Sequence, residues 1–160
     1  MKYSLDSNVF IEAWNGYYSL ELSPTYWDKL DQLARESTIF ATEEVKKEIS
    51  KTDDDLKAWF SDKTYFFRAI NEKVISCLNE IYQKDKNHRR LVDNTKQRSV
   101  ADPWVIAHAM AENAIVVTKE IFEHNPTKRI KIPNVCEAMG VEWMDDFEFI
   151  RTLGLKFTIL

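Results

Sequence analysis

Three acidic residues stand where a strand or a helix begins or ends in this sequence. Asp6 follows the apolar residues 3–5 and precedes a helical pattern, and Asp102 starts a second helical pattern far downstream. Glu120 follows a third apolar run, residues 115–118. Because an open α/β sheet gathers its ligands outside the carboxyl ends of its strands, we expect these carboxylates to lie close together.

A fourth carboxylate comes from the helix that follows the second predicted strand. Glu48 lies one turn beyond Glu44 on that helix, and we predict Glu48 as the site residue with Glu44 as the alternative. Each acid also has an ordinary explanation. Asp6 and Asp102 are suited to capping helices, and glutamates such as Glu48 commonly face solvent.

Four ionised carboxylates at about 5 Å from one another would repel strongly. At an effective dielectric constant of about 20 each pair costs about 3 kcal/mol, whereas a helix cap contributes only about 1 kcal/mol. A hard cation that prefers oxygen ligands, Mg²⁺ or Mn²⁺, offsets such repulsion. With such an ion we expect in-line hydrolysis of a phosphodiester, in which the metal activates water and stabilises charge on the phosphate.

The order of the predicted elements defines the fold class. Short apolar strands at residues 3–5, 38–41, 115–118 and 141–143 are separated by segments with helical spacing. This order predicts parallel pairing through right-handed crossovers, and therefore a three-layer α/β/α sandwich with a central, mainly parallel sheet. The aromatic group at residues 59–67 is typical of a core. The length favours one domain over residues 1–160.

The carboxyl-terminal part contains further start and stop signals. Asn134 is predicted to cap a short helix that Gly140 closes, and Asp145 or Asp146 to cap a last helix ending near Gly154. Beyond it, the apolar residues 155, 157 and 159 alternate.

Composition excludes several other kinds of chemistry. The three glycines, Gly16, Gly140 and Gly154, cannot form a phosphate-binding glycine loop or a nucleophile elbow. The two cysteines, Cys77 and Cys136, have neither a CxxC pairing nor a histidine at zinc-like spacing. Reduced thiols, no signal sequence and no membrane span lead us to expect a cytoplasmic protein without membrane contact.

The charge is unevenly distributed. The net charge is −4, but residues 84–98 carry six basic and two acidic side chains. We predict that Arg89 and Arg90 from this stretch, with Lys119, bind substrate phosphates, and that this binding weakens as salt is added. The alternative is an exposed, solvated connection.

Four motifs together resemble the PIN-domain family of metal-dependent nucleases, which includes the toxins of many bacterial toxin–antitoxin pairs. They are DSN at residues 6–8, VKKEI at 45–49, DPWVIA at 102–107 and TKE at 118–120. The family more often has Asp where this chain has Glu120, and residues 59–98 form a long insertion relative to the smaller toxins. The carboxyl end resembles an uncharacterised PIN-like subgroup.

This resemblance implies a Mg²⁺- or Mn²⁺-dependent endoribonuclease that acts on RNA, with a protein antitoxin as its inhibitor. Asp6, Glu48, Asp102 and Glu120 would be the catalytic metal ligands. From the sequence we also expect three neighbouring residues to orient water or ligands, namely Ser7, Asn8 and Thr118. The sequence is also compatible with a homodimer.

Two other functions remain as alternatives. A PIN-like fold can serve as a catalytically inactive RNA-binding or assembly module, in which the acids persist as caps and surface charge. A phosphatase of the haloacid dehalogenase type also begins with Asp after a strand, but it needs a second Asp two residues later, where this chain has Asn8.

Overall fold

A computed structural model describes residues 1–96 and 98–158. Its centre is a five-stranded, all-parallel sheet in the order β3-β2-β1-β4-β5. In chain order, β1 to β5 are Tyr3–Leu5, Ile39–Thr42, Phe67–Arg68, Ile115–Val117 and Trp143–Met144. Helices flank this sheet, which confirms the predicted α/β class.

The central strand β1 pairs with one neighbour on each side. Tyr3 lies opposite Ile39 of β2 and Ile115 of β4. The chain therefore builds the sheet outward from β1 first in one direction and then in the other. Such a reversal of strand order opens a crevice at the carboxyl ends of the two strands where it occurs, here β1 and β4.

Eight α-helices lie within the described residues, and several end in recognisable caps. In chain order, α1 to α8 are Ser7–Asn15, Pro24–Arg35, Glu43–Thr52, Asp54–Phe60, Glu72–Lys84, Asp102–Glu112, Ile132–Met139 and Asp146–Thr152. Short 3-10 turns cover Thr64–Phe66 and Lys86–Leu91. The long insertion thus holds α5, which packs along α6.

The aromatic group of the insertion is part of the hydrophobic core, as predicted. Phe60 and Phe66 are buried, and their rings meet edge to face at 5.1 Å. Phe10 of α1 contacts the Phe60 ring at 5.2 Å, and Trp27 of α2 contacts Trp59 at 5.0 Å. This packing fixes α1, and with it the residue immediately before α1, against the sheet.

Two predictions about local structure need correction, and one strand was not predicted. Asn134 does not cap a helix: α7 begins two residues earlier, and Asn134 instead bonds the backbone of Glu123 through both atoms of its amide. The last strand begins at Trp143, whereas its predicted start was residue 141, and β3 was not predicted. Asp145 caps α8, and it is one of the two residues, Asp145 or Asp146, that we predicted for this cap.

A few remaining expectations concern single residues. Both cysteines are buried free thiols. Ile159, the last residue of the apolar alternation, lies outside the described residues. Within residues 1–96 and 98–158, none of the helices is both long and apolar enough to span a lipid bilayer.

Candidate acidic site

The four predicted acids lie on four different elements around the crevice between β1 and β4. Asp6 directly follows β1, Glu48 lies on α3, Asp102 is the first residue of α6, and Glu120 lies just beyond β4. Shared hydrogen-bond partners link them in pairs, because Ser7 Oγ donates to both Asp6 and Glu48 and Arg129 donates to both Asp102 and Glu120. The charges of Asp6, Glu48 and Glu120 also raise the pKa of Asp102, after burial, as expected for neighbouring acids.

Asp6 is buried and fixed by hydrogen bonds to each of its carboxylate oxygens. Asp6 is the N-cap of α1, and its Oδ1 accepts from the backbone N–H of Ser7 at 2.7 Å. Its Oδ2 accepts from Thr118 Oγ1 at 2.8 Å. Its own N–H donates to the carbonyl of Val117 at 3.0 Å. Asp6 is therefore both a helix cap and part of the acidic cluster.

Glu48 links α1 and α6 to α3. Its Oε2 accepts from Ser7 Oγ at 2.6 Å, and its Oε1 accepts from the N–H of Ala101 at 3.0 Å. Both donors stand at helix starts, where the backbone dipole favours negative charge. Glu44, the alternative, instead pairs with Lys47 at 2.7 Å. The geometry thus places Glu48, and not Glu44, among the clustered acids.

Arg129 joins the other two acids. Its Nη1 donates to Asp102 Oδ2 at 2.6 Å, and its Nη2 donates to Glu120 Oε1. The other oxygen of Glu120 accepts from the N–H of Ile132, at the start of α7, at 2.8 Å. Asp102 itself does not cap α6, because Ala101 occupies the N-cap position. The capping explanation for Asp102 is therefore wrong.

The pKa shifts report how costly this arrangement is. Burial, followed by the charges of Glu120 and Glu48, raises the pKa of Asp6 to about 7, despite its hydrogen bonds. Burial and the charges of Asp6, Glu120 and Glu48 also raise the pKa of Asp102, against the influence of Arg129. Asp6 and Asp102 thus resist ionisation, first because they are buried and second because the site holds more negative charge than Arg129 neutralises.

Sequence reasoning missed Arg129 altogether. Burial opposes its charge, but hydrogen bonds and charge from Glu120 and Asp102 raise its pKa above the usual range. Its Nη1 also donates to the carbonyl of Leu91 at 3.2 Å. The basic triplet of Lys128, Arg129 and Lys131 was visible in the sequence, but nothing there shows which acids it faces.

The predicted supporting residues are close to the acids. Ser7 and Thr118 donate to Glu48 and Asp6, as described above. Asn8 Oδ1 accepts from the N–H of Lys119 at 3.1 Å and so holds the segment that carries Glu120. Ser7 and Thr118 are therefore placed to orient acidic side chains, and Asn8 is placed to hold the backbone beside Glu120.

The predicted phosphate-binding residues are more dispersed. Lys119 Nζ forms ion pairs with Asp146 at 3.0 Å and with Glu12 at 3.4 Å. The guanidinium of Arg89 lies over the ring of Tyr82 at 4.4 Å. Arg90 Nε donates to the carbonyl of residue 128 at 2.6 Å, beside Arg129.

The chemistry of the donor set fits a hard divalent cation, although the arrangement is not a closed ligand set. Within residues 1–96 and 98–158, no three or more His, Cys, Asp or Glu side chains form a group that could hold a metal ion as placed. Arg129 lies between Asp102 and Glu120. Four carboxylates offer the oxygen ligands that Mg²⁺ and Mn²⁺ prefer. Burial raises the pKa of the Cys136 thiol, so this thiol is neutral in the metal-free protein.

Three solved structures share this fold across nearly the whole chain. VapBC2 from Rickettsia felis, bound to a DNA fragment from its promoter, matches with a TM-score of 0.56 and 18% identity over 91% of this chain and 98% of that one. VapBC-1 from nontypeable Haemophilus influenzae matches with 0.52 and 18% over 91% and 98%. FitAcB from Neisseria gonorrhoeae matches with 0.51 and 15% over 89% and 96%.

VapBC and FitAB are toxin–antitoxin complexes that contain PIN-domain toxins. The chain therefore has the PIN-like α/β fold, as its four motifs predicted. At identities of 15 to 18%, this similarity shows a shared fold.

A family model described as a domain of unknown function, DUF4411, matches residues 3–157. The protein belongs to this family. No significant match was found among curated proteins.

Proposed function

We propose that this protein is a divalent-metal-dependent ribonuclease that acts as the toxin of a toxin–antitoxin pair. The convergence of four acids at the carboxyl ends of β1 and β4 supports this proposal most strongly. Helix caps and surface acids do not need to be buried together. Strongly shifted acids in a crevice are typical of a functional site.

The four acids have defined roles in this proposal. Asp6, Glu48, Asp102 and Glu120 would hold Mg²⁺ or Mn²⁺. The ion would supply an activated water and positive charge for phosphodiester hydrolysis. Thr118 keeps Asp6 oriented, and the hydrogen bonds of the other acids restrict their side chains in the same way.

Arg129 is a competitor of the metal in this proposal. It bonds to Asp102 and Glu120, two of the four ligands. When it leaves these acids, its charge becomes available to the phosphate of the substrate, which arginine binds with two parallel hydrogen bonds.

The toxin assignment draws on the solved structures. The three similar structures are all toxin–antitoxin complexes, and two of them are VapBC complexes. We therefore propose a protein antitoxin as the partner, encoded with the toxin and binding so as to block the acidic site.

Cleavage of RNA by the purified protein tests the function. We expect cleavage with Mn²⁺ or Mg²⁺ and none with a chelator, and we expect Asp6→Asn and Asp102→Asn to abolish cleavage in folded protein. Asp53→Asn is the matched control, because Asp53 caps α4 away from the acids and Asn caps equally well. Full activity in either site variant would contradict the proposal.

Arg129 also favours a second candidate, an inactive RNA-binding module. Its ion pairs with Asp102 and Glu120 partly neutralise the cluster without a metal. For this function, Mn²⁺ would leave the melting temperature unchanged, and Asp102→Asn would leave RNA binding unchanged.

A further inference from the structure

A basic groove lies directly beside the acidic site. It has a volume of about 490 Å³, and it is lined by two segments that are far apart in sequence. Its basic side chains are Arg90, Lys96, Lys128 and Arg129, and its acidic one is Asp93. The excess of positive charge is unusual in a chain with a net charge of −4.

Hydrogen bonds give the first segment a defined shape. The backbones of Asp93 and Arg98 pair in both directions, at 3.0 and 3.2 Å. The Asp93 carboxylate accepts from the N–H groups of Thr95 and Lys96, each at 3.1 Å. Asp93 thus uses its charge to hold the turn, while Lys96 is exposed on it.

The second segment is fixed to the first. Arg90 Nε donates to the carbonyl of Lys128 at 2.6 Å, and the N–H of Ile130 donates to the carbonyl of Arg90 at 3.2 Å. In the described part of the chain, no ion pair involves Lys96, Lys128 or the outer nitrogens of Arg90. These cations are therefore available to a ligand.

Arg129 joins the groove to the acidic site, because it lines the groove and also bonds to Asp102 and Glu120. A polyanion in the groove would therefore be separated from the acids by only the side chain of Arg129. It would also need the groove: phosphates are repelled by the acidic cluster and by the net negative charge, and local cations must offset that repulsion.

We propose that this groove binds the phosphate backbone of single-stranded RNA next to the bond that is cleaved. This inference rests on the proposed function and adds Lys96 and Lys128 to the substrate-binding residues. These lysines contact phosphates and not bases, so they contribute affinity without sequence preference.

Binding of a fluorescein-labelled, mixed-sequence single-stranded RNA tests the groove. Fluorescence anisotropy is measured with the full chain and a chelator, so that cleavage does not interfere. We expect the double variant Lys96→Ala and Lys128→Ala to bind several-fold more weakly at low salt. The slope of log affinity against log salt should fall by about 1.4, which corresponds to two lost contacts with a single strand.

The matched control is Lys57→Ala with Lys73→Ala. Both lysines are exposed on helices, do not line the groove and change the net charge equally. Wild-type affinity in this control assigns the loss to the groove. An equal loss in both double variants, or wild-type affinity and slope in the groove variant, would overturn the proposal.

Two further measurements separate the proposals. In the presence of Mn²⁺ or Mg²⁺, the groove variant should cleave RNA with a raised KM and an unchanged kcat. If the wild type binds RNA through the groove but does not cleave it, the proposed function is wrong and the proposed RNA-binding groove is supported. If the groove variant cleaves RNA with the KM of the wild type, the proposed RNA-binding groove is wrong and the proposed function is supported. Preferential binding of polyglutamate over RNA would show a site for an acidic protein and overturn the RNA assignment.

Discussion

The aromatic cluster and the acidic site lie in the same small domain but contribute to stability with opposite sign. Around Phe60, rings from α1, α4 and the insertion pack edge to face and hold no charge. Around Asp6, acids are buried beside other acids, and the pKa of Asp6 rises to about 7. The aromatic region stabilises the fold, whereas the acidic region costs stability while its acids are ionised and no cation is bound. Such a cost is typical of sites retained for function.

Removing a ring from the aromatic cluster should have the largest effect. Phe60→Ala should lower the free energy of unfolding by about 3 to 5 kcal/mol, because it deletes buried surface and leaves a cavity. Urea denaturation measures the change. Tyr17→Ala is the control, because Tyr17 is 90% exposed, and it should change stability by less than about 0.5 kcal/mol. Similar losses in the two variants would contradict the contrast.

Metal should reverse the cost at the acidic site. If the proposed site binds Mn²⁺ in the folded state alone, Mn²⁺ at a hundred times its Kd should stabilise the wild type by about 2.7 kcal/mol. A thermal melt with and without Mn²⁺ measures this shift. Asp102→Asn should lose most of it and Asp53→Asn should keep it. An unchanged wild-type melt at millimolar Mn²⁺ would count against the site.

Neutralising Asp6 should stabilise the metal-free protein in a pH-dependent way. The pKa of Asp6 is about 7 in the folded protein, against 3.8 ordinarily. A raised pKa gives stability that is complete below about pH 4 and lost as the pH rises through 7. Asp6→Asn should therefore match the wild type at acidic pH and exceed it above pH 7, by no more than the roughly 4 kcal/mol to which this pKa shift corresponds.

Parallel thermal melts of Asp6→Asn and the wild type across this pH range, with a chelator present, measure the difference. Each kcal/mol corresponds to about 2 to 4 °C in Tm for a chain of this size. A constant difference at all pH values would show that the Asp6 charge is not the cause.

An ordinary cap should show the opposite sign and the smallest effect. Asp53 accepts from the N–H groups of Asp55 and Leu56, each at 3.0 Å, and it is not one of the four acids of the candidate site. Asp53→Ala should therefore destabilise the protein by about 1 kcal/mol. Urea denaturation at neutral pH checks this value. Stabilisation by Asp53→Ala would show that the contrast between the two caps is wrong.

Local signals carried much of the prediction. Pro103 marks the first turn of α6, and the apolar run at residues 115–117 forms β4. The helix that carries Glu48 begins after Thr42, as predicted. Prediction failed where a nonlocal contact decided: Asn134 would suit an N-cap, but its amide pairs instead with Glu123, eleven residues earlier. The two-residue β3 has no periodic signal of its own.

The sequence by itself determined the α/β class and the candidate acids, because hydrophobic periodicity and the residues at strand ends are local properties. Only the tertiary structure decided that Arg129 bonds to Asp102 and Glu120, and that residues 90–96 and 128–129 form one groove. A charge in the sequence has no partner until the chain folds. The energy of each charge depends on burial and on distances that no spacing along the chain encodes.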